Sequence, residues 1–276
     1  MTPLDAIPGD VSDEACYWVQ ARRPWPTFLF LLPLIVAYEL GVLWFGSDPA
    51  TLRNGADYWL RSWLLDMELG LNWLPPAVLV GGLLAWQVVS RERWECSFDT
   101  LVGMFGESLL FAVLLVVGGQ LLSLLFREWG LETLAAGGSL TAASAWERSV
   151  SFLGAGLYEE LVFRLALLPV CFYLFRGLLA PRGVAVVLAV ALSSLIFAAA
   201  HDLSPSDPVS LSGFGAALSR VVEEPARWYG FSFRLLAGVT FSLLLWWRGF
   251  GITVGCHALY DLLAGVLMQP PDGGCA

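Results

Sequence analysis

The sequence predicts an all-α fold, a polytopic bundle of about seven transmembrane helices. Three observations carry this. Of 276 residues, 57% are hydrophobic and only 14% charged, against about a half and a quarter in soluble domains, and the mean hydropathy is +0.69. Apolar runs approaching the roughly 20 residues that cross a bilayer as a helix recur along the chain. The thirteen tryptophans suit a chain that meets the membrane–water interface many times, where indole rings concentrate.

Segment 1–26 is polar and acidic and lacks a short apolar core ahead of a cleavage site, so it reads as a cytoplasmic N-terminal segment and not as a signal peptide. Apolar stretches follow at 27–45, 74–89, 101–126, 149–175, 183–201, 231–247 and 250–268. The second, sixth and seventh are short, whereas the third and fourth are long enough to tilt or project. Pro169 should kink the fourth, because proline removes a backbone donor. The longest connections are 46–73, 127–148 and 202–230. The last contains Pro205, Pro208, Gly213 and Pro225 and reads as loop with one surface helix. Arg22, Arg23, Arg91, Arg93, Arg176, Arg182 and Arg248 fall on one side of such a bundle. By the positive-inside rule this predicts a multi-pass cell-membrane protein with a cytoplasmic N-terminus.

Charge and cysteine usage exclude several classes. A net charge of −9 offers no basic surface, so nucleic acid is not a partner; the lipid bilayer is. Cys16, Cys96, Cys171, Cys256 and Cys275 are scattered and form no CxxC pair, which indicates neither a disulfide framework nor a zinc cluster.

Against this background a few polar residues stand out. An ionised side chain at mid-membrane costs about 2.5–3.5 kcal/mol on insertion scales, so it normally faces protein or a wet cavity. The fourth stretch contains YEELVFR, with Glu159, Glu160 and Arg164; the fifth ends in FAAAH, with Phe197 and His201; the seventh contains HALYD, with His257 and Asp261. The chain has two histidines in all, and both lie in apolar stretches. Glu160 and Arg164, at i and i+4 on a helix, can neutralise one another. That leaves Glu159, about 100° further round, as a carboxylate without a local cation and a candidate general base. His257 and Asp261 are also i,i+4, so the aspartate can fix the imidazole tautomer or hold the ring protonated. Together the set could activate water and stabilise an oxyanion. Each piece alone has a structural explanation, as a bridge or a helix–helix hydrogen bond. Their joint occurrence on separate spans is the specific signal. Glu39, Glu107 and Arg234 lie near span ends, where they can snorkel or pair locally, and no chemistry is assigned to them.

At these residues the chain resembles the CPBP family, the CAAX-protease and bacteriocin-processing intramembrane proteases also called Abi proteins. The family pattern is EExxxR, then FxxxH, then HxxxN or HxxxD, here EELVFR (159–164), FAAAH (197–201) and HALYD (257–261). The resemblance divides the chain into accessory transmembrane helices over 27–148, a catalytic core over 149–268 and a tail, 269–276. It implies an intramembrane endopeptidase acting on a membrane-associated peptide or protein. Glu159 would be general base on water and His201 would hold that water. His257 and Asp261 would serve the oxyanion, and Glu160 and Arg164 would brace the first motif. An ionised Asp261 cannot donate as the family's asparagine does, so it is expected to act through His257. No cofactor is implied and HExxH is absent, although two histidines and several carboxylates could bind zinc, which makes metal-dependent hydrolysis the competing mechanism. A non-catalytic scaffold, immunity or regulatory protein is the alternative function. A proton-coupled transporter fits less well, as no paired halves with matching broken helices are visible.

One depth argument makes a further prediction. Counted from the inner face at about 1.5 Å per residue, His201 lies some 27 Å in and His257 only about 10 Å. Extended chain over 249–255, with a helix starting late near His257, would bring them level.

Overall fold

Each of the seven apolar stretches is helical, and no strand occurs among the described residues. The computed structural model describes residues 17–45, 52–68, 70–131, 144–204, 207 and 209–268. Most of the 1–26 segment, much of the 127–148 connection, the tail 269–276, Cys16 and Cys275 lie outside them.

The helices are α1 (Pro24–Phe45), α2 (Gly55–Asp66), α3 (Leu74–Ser90), α4 (Phe98–Glu128) and α5 (Ala145–Gly154). They continue as α6 (Leu168–Gly177), α7 (Arg182–Ala200), α8 (Leu211–Glu223), α9 (Trp228–Arg248) and α10 (Phe250–Leu262). Two π-helical turns, Ala155–Glu159 and Leu161–Leu167, join α5 to α6, and a third, Leu263–Leu267, extends α10.

Local chemistry sets several of these boundaries. Ser144 and Glu147 form a capping box at the start of α5, with bonds of 2.6 and 3.2 Å. The Ser97 side chain caps α4 and the Asn54 side chain caps α2. Pro169 lies in the first turn of α6. The π turns just before it are the kind of local adjustment that re-satisfies a backbone blocked by proline.

Among the described residues, five segments are long and apolar enough to cross a membrane: Pro24–Phe45, Phe98–Glu128, Arg182–Ala200, Pro225–Arg248 and Phe250–Leu267. The expected seven therefore divide into five of full length and two that differ. Helix α3 has 17 residues, about 25 Å at 1.5 Å per residue, a little under the ~30 Å hydrocarbon thickness. The fourth stretch is helical throughout but contains the two π turns, and it carries Glu159, Glu160 and Arg164.

Small residues bring the helices together, as packing between helices in lipid requires. Helices α4 and α10 run parallel, with Met104 against Gly251 and Ser108 against Gly255. Helix α9 is antiparallel to α4, where Phe233 packs on Gly119 and the Tyr229 hydroxyl donates to the Gly119 carbonyl at 3.3 Å. At Gly238 a Cβ would stand 3.0 Å from that of Ser194, so this glycine sets the approach of α9 to α7.

The late helix start expected near His257 does not occur. Helix α10 begins at Phe250, with a single residue between it and the end of α9. Gly249 makes the junction with φ +89°, a conformation that suits glycine. Its N–H donates to the Leu244 and Leu245 carbonyls at 3.1 and 3.2 Å. Counting depth from one plane presumed equal tilts, and tilt is set by packing against neighbours.

Candidate active site

Glu159 ends the first π turn and Glu160 sits between the two. Single-turn π segments inside α-helices are frequent at functional sites. The widened backbone here meets α10 closely: at Gly156 an added Cβ would fall 2.8 Å from that of Ala258. Lack of a side chain at 156 thus lets the carboxylate pair approach the helix that carries His257.

The six predicted residues come together. His201 Nε2 lies 3.6 Å and His257 Nε2 3.9 Å from Glu159 Oε2. That oxygen is buried and accepts no hydrogen bond from the protein, the kind of exception that in native structures calls for a water or a chemical role. The other oxygen, Oε1, accepts from Asn54 Nδ2 at 3.2 Å. His201 Nδ1 is 2.9 Å from the Phe197 carbonyl. Because a carbonyl only accepts, Nδ1 carries the proton, and Nε2 is the nitrogen turned toward Glu159. The phenylalanine of FxxxH adds its own contact, its ring packing edge-to-face on His201 with centroids 4.8 Å apart.

The second imidazole meets Asp261 as expected and a second carboxylate besides. His257 Nδ1 lies 2.7 Å from Glu160 Oε1, within charge-assisted hydrogen-bond range. Asp261 Oδ2 stands 3.4 Å from Nε2, beyond the usual N–H···O range. Glu160, from another helix, thus makes the shorter contact, and Asp261 faces the opposite nitrogen. Glu160 also pairs with Arg164, whose Nε is 3.2 Å from Oε2. Arg164 stacks 4.2 Å from the Phe197 ring centroid and donates to the Gly238 carbonyl at 3.4 Å. Both partners of this pair are almost wholly buried. Phe241 lies parallel to the His257 ring, with centroids 4.5 Å apart. With Nδ1–H given to Glu160, a protonated ring presents Nε2–H into the space shared by Glu159 and Asp261.

Residues set aside at the sequence level pair over long distances instead of locally. Glu39 accepts from the Tyr158 hydroxyl at 2.7 Å and meets Arg61 at 3.2 Å. Glu107 holds Arg248 in a two-pronged bridge at 2.8 and 2.9 Å, and Arg234 lies 3.6 Å from Asp202. Asn54 and Phe241 were not foreseen as neighbours of the site. Asn54 followed three residues later by Asp57 marks a helix start, but nothing local signals its proximity to Glu159. Among the described residues no group of three or more His, Cys, Asp or Glu side chains is arranged to hold a metal ion.

No curated protein and no solved structure matches the chain. Residues 141–263 match the family model described as Type II CAAX prenyl endopeptidase Rce1-like. That span includes Glu159, Glu160, Arg164, His201, His257 and Asp261, and it is this part of the chain that matches the CPBP/CAAX protease family.

Proposed function

We propose that the chain is an intramembrane endopeptidase that cleaves a membrane-associated peptide or protein with water activated by Glu159, without a cofactor. The observation that carries this reading is the convergence of His201 Nε2 and His257 Nε2 on Glu159 Oε2, an oxygen with no protein hydrogen bond of its own. The attacking water sits beside the Glu159 Oε2–His201 Nε2 pair, within hydrogen-bond reach of both atoms. Glu159 takes one proton as the water oxygen attacks the scissile carbonyl carbon. His201 accepts a hydrogen bond from the same water and aims it, its own Nδ1–H being committed to Phe197. The tetrahedral oxyanion is met by His257 Nε2–H. Collapse breaks the C–N bond, and Glu159 returns its proton to the leaving amine. Since water is the nucleophile, no acyl-enzyme forms. Glu160 orients His257, Arg164 neutralises Glu160, and Asp261 borders the oxyanion position. The membrane setting follows from the apolar helices, and the arginine distribution supports a cell-membrane location with the N-terminus in the cytoplasm.

The test compares membrane and secreted proteomes of cells carrying wild type or Glu159→Gln, followed by turnover of the purified protein on the substrate so found. Glutamine keeps the shape but cannot take the proton, so kcat should fall by at least about 100-fold while the protein still inserts. Near-normal turnover by Glu159→Gln would refute the assignment. Full cellular function of that variant with no change in any cleaved product would support the scaffold reading instead.

A further inference from the structure

Asn54 lies 105 residues from Glu159 in sequence and outside the segment that matches the protease family. It is 7% exposed. Its Oδ1 accepts from the Asp57 N–H at 3.1 Å, which caps α2. That bond fixes which end of the amide faces which way, so the nitrogen donates to Glu159 Oε1. Capping requires only an acceptor, and serine, threonine or aspartate would serve. The donor end therefore has no part in the helix cap.

Helix α2 is also held unusually firmly. Asp57 is fully buried and receives Arg53 at 2.6 Å, Arg61 at 2.7 Å and the Tyr38 hydroxyl at 2.7 Å. Arg61 reaches on to Glu39, and Glu39 accepts from Tyr158, the residue before Glu159. The network thus grips both the backbone position of Glu159, through Tyr158, and its carboxylate, through Asn54. With Oε1 anchored, the carboxylate is held from rotating and Oε2 keeps its place before the two imidazoles.

We infer that Asn54 is a positioning residue for Glu159, so that an accessory helix outside the family core completes the active site. The inference rests on the peptidase reading. Misplacing a reacting group by about 1 Å can cost about 100-fold in rate, and the expected losses scale from that. Asn54→Asp keeps the capping acceptor and replaces the donor by an acceptor; Asn54→Ser keeps the cap but does not reach Glu159. In purified full-length protein in lipid nanodiscs, both should lower kcat by roughly 10- to 100-fold. KM should stay near wild type in both and Tm unchanged in Asn54→Ser, whereas Asn54→Asp, which sets a second buried carboxylate against Glu159, and Asn54→Ala, which loses the cap as well, should lower Tm. Wild-type kcat in both Asn54→Asp and Asn54→Ser would overturn the inference and leave the peptidase reading intact. Infrared difference spectra supply a readout independent of turnover. The Glu159 carboxyl band, identified by its absence in Glu159→Gln, should shift in Asn54→Ser as a hydrogen bond is lost. If wild type cleaves nothing, the peptidase reading fails, and an unshifted band would then overturn the placement of Asn54 too.

Discussion

Which carboxylate orients His257 is decided by substituting each in turn. Glu160→Asp shortens the side chain by one C–C bond, about 1.5 Å. The 2.7 Å contact with His257 Nδ1 then opens to about 4 Å, too far for a hydrogen bond. A hydrogen bond to a charged group is worth about 1.5–3 kcal/mol. At 1.36 kcal/mol per decade, kcat should fall roughly 10- to 150-fold if His257 must be held for oxyanion stabilisation. The charge beside Arg164 persists, so the variant should still fold. Glu160→Gln differs in that respect, because it strips the counter-charge from a guanidinium only 1% exposed. Breaking such a buried pair costs about 3–5 kcal/mol of stability. Asp261→Asn preserves volume and alters a contact that is already 3.4 Å long, so it should retain more activity than Glu160→Asp. The assay is single-turnover cleavage of the identified substrate in nanodiscs, with Tm measured on the same samples. The opposite ranking, wild-type kcat in Glu160→Asp and a large loss in Asp261→Asn, would refute the assignment of Glu160 as orienter.

Two further outcomes are expected. Gly156→Ala places a methyl 2.8 Å from Ala258 Cβ and 2.9 Å from its backbone nitrogen, so the π turn or α10 must shift. Such overpacking costs about 1–3 kcal/mol, read as a lowered Tm with reduced kcat; unchanged values for both would show that the close approach is not needed. For the mechanism without metal, activity should survive chelation, and elemental analysis of active protein should find no stoichiometric zinc. About one tightly held Zn²⁺ per chain, lost together with activity, would replace Glu159 as the activator with metal-assisted hydrolysis.

The sequence by itself determined the helical membrane class and the identity of the polar set. Apolar length and charge depletion are local quantities, and lipid tolerates only backbone that bonds within its own segment or within protein. Six ionisable or imidazole residues inside such segments are costly wherever they pack, so Glu159, Glu160, Arg164, His201, His257 and Asp261 were visible before any contact was known. The i,i+4 pairs Glu160–Arg164 and His257–Asp261 were legible as well, and only the tertiary structure decided the pairs between helices. The i,i+4 rule suggested Asp261 for His257, and that pair forms at Nε2, but the ring also turns its Nδ1 across the bundle to Glu160. Neighbours on one helix compete with partners on others, and sequence spacing registers only the first. Helix tilt, the π turns around Glu160 and the start of α10 at Phe250 also depend on packing among several segments. The same reason hid Asn54, whose capping signature is local while its bond to Glu159 exists only once α2 is folded against the π turn.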